Sequence, residues 1–184
     1  MRAFVAIEVD APIRRALAGL IEELNRPSQP VKWVTPENIH LTLKFLGDVP
    51  QERVSEAIQI VRDCAQGIGP FSLAIQGTGA FPSTQQPRVI FAGAQDERNA
   101  AHELAGRLEE RMEALGIERE DRPFQCHLTL GRLREPRALP ALAAKMAAAS
   151  ARDFGKMTVT QITLIESTLT PQGPIYRPVE QMAL

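Results

Sequence analysis

An α+β fold built on antiparallel sheets is the class this sequence predicts, and three observations predict it. Segments with the two-residue alternation of strands and segments with the apolar recurrence of helices follow one another without the regular strand–helix order of a doubly wound sheet. The tetrapeptide His-Leu-Thr-Leu occurs at residues 40–43 and again at 127–130, nearly half the chain apart. A content of 44% hydrophobic and 23% charged residues over 184 positions suits one compact unit, residues 1–184, with a sizeable core.

Val5, Ile7 and Val9 alternate with Phe4, Ala6 and Glu8, which predicts a strand over residues 2–9. Asp10 then stands as an N-cap with Pro12 in the first turn, and Ile13, Leu17, Leu20, Ile21 and Leu24 recur at helical spacing. Residues 26–30 break that pattern, and alternation returns over 39–46. A second helix fits residues 51–66, with Val54, Ile58 and Val61 on its apolar stripe. After Gly67–Pro70, strands are expected at 71–76 and 88–94, joined by a loop rich in Gly, Pro, Ser and Gln. A helix over 97–115 carries Leu104, Leu108, Met112 and Leu115, and a strand follows at 124–130. The alanine-rich run at 138–149 predicts a fourth helix, and 157–166 and 175–183 the closing strands.

A formal net charge of -1 argues against a long basic track for duplex nucleic acid, so a nucleic-acid ligand would be short or touched only at its end. Only Cys64 and Cys126 are present, without a C-x-x-C motif, which disfavours a disulfide framework and a structural zinc site; both are expected as reduced, buried thiols. No run of about 18 apolar residues occurs, and Glu8 and Asp10 fall where a signal peptide would extend its apolar core. A cytoplasmic monomer with no membrane partner is the expectation.

The repeated tetrapeptide carries the chemistry. In the first copy Ile39, Leu41, Leu43 and Phe45 alternate with His40, Thr42 and Lys44, so the apolar set takes the core and the polar set faces a groove. In the second, Phe124, Cys126, Leu128 and Leu130 form the buried set, leaving His127 and Thr129 on the open face and Cys126 unsuited as a nucleophile. His and Thr at i and i+2 stand about 6.6 Å apart along a strand. An imidazole can therefore reach a scissile oxygen while the hydroxyl donates to a neighbouring phosphoryl oxygen. Two such strands face to face suit in-line displacement at phosphorus, one neutral imidazole taking a proton from water and one imidazolium protonating the leaving oxygen. Neither motif holds the clustered ligands of a hydrolytic metal centre, so neither a metal nor a cofactor is expected. Spacing alone leaves the acid and base roles interchangeable, and it leaves open that the duplication serves only packing.

At these residues the sequence resembles the two-histidine phosphoesterase superfamily, with its His-x-Thr-x motifs, and within it the LigT-like RNA 2′,3′-cyclic phosphodiesterases. The resemblance runs nearly end to end: Phe4-Val5-Ala6-Ile7, Trp33-Val34, His40-Leu41-Thr42-Leu43-Lys44-Phe45-Leu46-Gly47, Gly79-Ala80-Phe81-Pro82, Pro87 to Gly93, Pro123 to Arg132, and Glu166-Ser167-Thr168-Leu169. Phe91 departs from the tryptophan usual there. The resemblance implies a bilobal fold, two pseudo-symmetric lobes of antiparallel sheet backed by helices with the active site in a central cleft. It implies His40 as general acid, His127 as general base, and an RNA bearing a 2′,3′-cyclic phosphate end as partner, tRNA fragments among the candidates. Hydrolysis would give a 2′-phosphomonoester, and some members run the chemistry backwards to join ends 2′–5′.

Thr42 and Thr129 are the candidate phosphoryl-oxygen donors. Strict alternation would turn Arg132 toward the core, but a bulge at Gly131 would re-aim it into the groove, where the resemblance places a phosphate or base contact; the alternative is an arginine snorkelling at a strand end. Lys44 either raises the positive potential of the groove or sits on a solvated rim. Phe4 is either a stacking surface for a nucleobase or a peripheral apolar contact. Trp33, Phe81 and Tyr176 are expected as core or loop anchors. Rival functions are hydrolysis of a small cyclic nucleotide, an ADP-ribose cyclic phosphate or a 2′-5′ oligonucleotide, and non-catalytic binding of RNA ends.

Overall fold

A computed structural model describes residues 1–184. The strands are β1 (Arg2–Glu8), β2 (Lys32–Trp33), β3 (His40–Asp48), β4 (Phe71–Pro82), β5 (Pro87–Gln95), β6 (His127–Arg132), β7 (Asp153–Val159), β8 (Gln161–Thr170) and β9 (Gly173–Ala183). The helices are α1 (Ala11–Leu24), α2 (Val54–Ala65), α3 (Ala100–Arg111) and α4 (Pro140–Ala148). Short 3₁₀ turns precede β3 and α2 and extend α3. No helix is long and apolar enough to cross a membrane.

Two antiparallel sheets result, one in the order β3-β1-β8-β9 and the other β2-β6-β5-β4-β7. The helices cross between them. The chain leaves the first sheet at β1 and packs α1 on β7 of the second; it leaves the second sheet at β5 and packs α3 on β3 of the first. Helix α4 joins α1, and α2 joins α3, so each sheet is backed by two helices. One buried cluster of 40 side chains contains residues of all four helices and both sheets, among them Val5, Ile13, Val61, Ile90, Leu104 and Leu142. At about 25 cal/mol per Å² of apolar surface removed from water, burial of this kind supplies most of the force holding the halves together.

Local signals explain most boundaries. Asp10 accepts from the amide of Ile13 at 3.1 Å, and Ile13, Leu17, Leu20 and Leu24 form the buried face of α1. The carboxylate of Asp96 accepts from the amides of Ala100 and Ala101, starting α3 three residues later than the periodicity suggests. The expected strand at 157–166 divides at Thr160: Val159 pairs with Phe71 in the second sheet, and Gln161 pairs with Ala183 in the first. The two-residue β2, invisible to any periodicity, pairs Lys32 with Arg132 and Trp33 with Gly131.

Candidate active site

The edge strand β3 of the first sheet lies against β6 of the second, and the two copies of the repeat occupy these strands. In each copy the alternation holds for four residues, then breaks. Opposite β3, Val5 pairs with Lys44 and Ala6 with Thr42, so Leu43 is an extra residue; opposite β6, Ile90 pairs with Gly131 and Phe91 with Thr129, so Leu130 is the extra one. The same bulge therefore occurs twice at equivalent positions. It brings Arg132 out onto the open face, where the bulge expected at Gly131 places it.

The bulge in β3 has the opposite consequence for Lys44. Lys44 is buried on the core side, its ammonium donating to Glu109 Oε2 at 2.7 Å and to the Glu118 carbonyl at 2.8 Å. It does not share the face of His40 and Thr42, and the expectation that it lines the groove is corrected. Phe45 takes the open face instead and is half exposed.

His40 and His127 are held alike. Nδ1–H of His40 donates to the carbonyl of Asn38 at 2.7 Å, and Nδ1–H of His127 donates to the carbonyl of Gln125 at 2.7 Å, in each case two residues back along the chain. A carbonyl can only accept, so it fixes the tautomer and leaves Nε2 as the nitrogen free for chemistry. Thr42 Oγ1 lies 2.9 Å from Nε2 of His40, whereas Nε2 of His127 has no hydrogen-bond partner within the protein.

Aromatic rings support both imidazoles. Phe4 stacks on His40 with centroids 4.7 Å apart, and Tyr176 meets its edge at 5.4 Å. Phe81 and Phe91 flank His127 at 5.2 and 5.3 Å. Phe4 is buried with Ala6 and Ile165 under Tyr176, because β1 is an interior strand covered on both faces. It offers no free face to a base, which corrects its expected stacking role. Tyr176 and Phe81, expected as anchors elsewhere, belong to the site; the pairing of β9 with β8, and of β8 with β1, brings Tyr176 there from the end of the chain. Phe91 fills the tryptophan position by lying over Gly79, where a Cβ would collide with its ring.

Burial pushes the His40 imidazole below its ordinary range, with Arg132 and His127 adding to the effect, while the Asn38 carbonyl and the Glu8 carboxylate pull it back up. His127 is also lowered, by burial and then Arg132, against the Gln125 carbonyl. Arg132 is itself lowered by burial and sustained by Tyr176, whose phenol burial pushes up. These influences run between residues of the two sheets: Arg132 and His127 on β6 disfavour a positive charge on His40 of β3. Both cysteines are free, Cys64 buried and Cys126 partly so; Cys126, pushed up to about 12 by burial, stays a thiol. No three His, Cys, Asp or Glu side chains converge as a set of metal ligands.

Comparison with known proteins converges on one group. The profile of the family described as LigT like Phosphoesterase matches residues 7–91 and 93–176. An RNA 2′,3′-cyclic phosphodiesterase of Archaeoglobus fulgidus is 38% identical over 96% of this chain and 97% of its own length. One of Methanothermobacter thermautotrophicus is 34% identical over 100% and 99%. A crystal structure of a Thermus thermophilus protein superposes with a TM-score of 0.81 at 33% identity, covering 100% of this chain and 98% of that one. E. coli LigT complexed with 3′-AMP gives 0.80 at 26% identity, over 100% and 97%.

Proposed function

Since the chain belongs to the LigT-like phosphoesterase family, we propose that it hydrolyses the 2′,3′-cyclic phosphate at an RNA end to a 2′-phosphomonoester by metal-independent acid–base catalysis. The observation that carries the proposal is the duplicated histidine: on the facing strands β3 and β6, each ring has Nδ1 spent on a carbonyl two residues back, which leaves Nε2 for chemistry. His127 Nε2 takes a proton from water as its oxygen bonds to phosphorus. The P–O3′ bond breaks opposite, and His40 Nε2–H delivers its proton to O3′. Thr42 and Thr129 donate to the non-bridging oxygens, and Arg132 offsets the charge that builds on them. With a 5′-hydroxyl in place of water, the same steps join RNA ends through a 2′–5′ linkage.

Both histidines come from one chain, so the site needs no second copy, and the protein acts as a monomer. Phe45 offers the exposed aromatic face on which the terminal base stacks. A chain is favoured over a mononucleotide by Lys32, which stands directly across from Arg132 in the β2–β6 register. Like charges so opposed destabilise a sheet. Neither has an ion-pair partner in the protein, and a backbone phosphate between them supplies one. tRNA fragments with cyclic phosphate ends are one source of such chains.

The test is incubation with a defined oligoribonucleotide ending in a 2′,3′-cyclic phosphate, with products resolved as 2′- or 3′-monophosphates. The 2′-product is expected, unaffected by a chelator, and His40→Ala and His127→Ala should each lose about 10²- to 10⁴-fold in rate. A 3′-product, abolition by the chelator, or full activity without either imidazole refutes the proposal.

A further inference from the structure

The two halves repeat the backbone anchoring of the histidines but not their electrostatic surroundings, and one difference sits at a cross-strand position. In the β1–β3 register Glu8 stands directly opposite His40; in the β5–β6 register Gly93 stands directly opposite His127. Directly opposed residues share a face of the sheet, with Cβ atoms about 5 Å apart. Glu8 therefore lies on the cleft side, at the base of the His40 side chain. Its Oε2 accepts from Thr163 Oγ1 at 2.9 Å, and Thr163 is buried on the neighbouring β8. The carboxylate is thus tethered to the sheet. No carboxylate can occupy the equivalent place beside His127, because a Cβ at Gly93 would lie 2.5 Å from the carbonyl oxygen of Gln76.

We propose that Glu8 is a positioning residue that draws the proton shared by the pair toward His40, and so makes His40 the acid and His127 the base, a role that rests on the hydrolytic reading above. The charged and titratable groups facing His40 are Glu8 from β1, Tyr176 from β9, and His127 and Arg132 from β6. Glu8 is the one carboxylate among them. Arg132 and His127 oppose a positive charge on His40, and Glu8 favours it; His127 faces Arg132 and no acid. Nδ1–H of His40 is already engaged with Asn38, so the added proton resides on Nε2, the nitrogen beside the Thr42 hydroxyl. The site acquires a direction from one side chain that the second lobe has no room to copy.

The experiment compares wild type, Glu8→Gln and Glu8→Asp by the pH dependence of kcat/KM on a mononucleoside 2′,3′-cyclic phosphate, and by NMR titration of the histidine rings. Glutamine retains an oxygen to accept from Thr163, so the tether survives the substitution. In Glu8→Gln the alkaline limb, where the acid loses its proton, should move down by about half a pH unit. Glu8→Asp should restore most of it, and the ring titration of His40 should move down while that of His127 stays in place. A Glu8→Gln profile lowered equally at every pH with its limbs unmoved, or an unchanged His40 titration, overturns the proposal. Absence of turnover by the wild-type protein would count against the hydrolytic reading alone, since the ring titration reports on Glu8 without turnover.

Discussion

Replacing Lys44 by methionine tests where the bulge in β3 sends its side chains. The Lys44 side chain is 1% exposed and its ammonium donates to Glu109 Oε2 and the Glu118 carbonyl; the Glu109 side chain is 22% exposed and also accepts from the Glu120 amide at 3.1 Å. Removing one partner of a buried pair costs about 3–5 kcal/mol. Glu109 reaches water and keeps one donor, so Lys44→Met should cost about 2–3 kcal/mol, below that range. Glu109→Gln strands a cation with no access to water and should cost about 3–4 kcal/mol, even though the amide oxygen remains as acceptor. Lys44→Met with Glu109→Leu replaces the pair by apolar groups, and the two losses should fall short of additivity by about 2 kcal/mol. Urea unfolding of these variants beside wild type and Glu109→Leu closes the cycle, and kcat/KM on a mononucleoside cyclic phosphate, measured well below the melting temperature, should be unchanged in Lys44→Met. If Lys44→Met left stability within about 0.5 kcal/mol of wild type and instead weakened substrate binding, Lys44 would line the groove as plain alternation implies, and the bulge reasoning would be wrong.

Because burial holds both imidazoles below their ordinary value, kcat/KM should peak below about pH 6.5, where the free enzyme carries one proton on the pair; a peak clearly above that value would contradict the burial. The same depression means that the unfolded chain binds more protons below about pH 6.5, so stability should be fully present above that pH and decline as pH falls through it. Replacing both histidines by asparagine should flatten the decline in urea titrations. Gly79→Ala should displace Phe91 from beside His127, lowering turnover with a smaller effect on KM, and Gly79→Ala with Phe91→Leu should recover part of the loss. Lys32→Ala should lower kcat/KM about tenfold on an oligonucleotide end and leave a mononucleoside cyclic phosphate unaffected; equal losses on both would place Lys32 at the terminal phosphate.

Which parts of the fold were legible follows from the range of the forces involved. Asp10, Pro12 and the apolar stripe of α1 act within a few residues of one another, and the strand and helix they predict are present with nearly the expected bounds. Crossing from one sheet to the other is a long-range event. Residues 157–166 read as one continuous strand, and nothing local marks Thr160 as the point where the partner changes from β4 to β9. The pairing of Lys32 with Arg132 is equally hidden, since it joins segments about a hundred residues apart and involves too few residues to show a period.

Within the site, alternation is reliable only up to the bulge, and the repeat itself shows why. Counting from each histidine, Lys44 corresponds to Gly131 and Phe45 to Arg132. A charge at Arg132 that strict alternation would bury is the signal that points to a bulge in the second copy. The first copy gives no such warning: Phe45 looks well placed in the core and Lys44 well placed in the groove, so an unbroken strand satisfies every local preference while being the wrong solution. What inverts them is Glu109, on a helix that leaves the other sheet and packs back on this one, offering Lys44 a buried counter-charge that no residue near it in sequence supplies. Glu8 escapes notice for the same reason, because its importance lies in standing opposite His40 across a strand pair whose register those bulges set. In a duplicated chain, then, a distortion inferred in one copy is evidence about the other. Carrying the bulge from Gly131 to Lys44 would have placed Phe45 on the open face from the sequence alone.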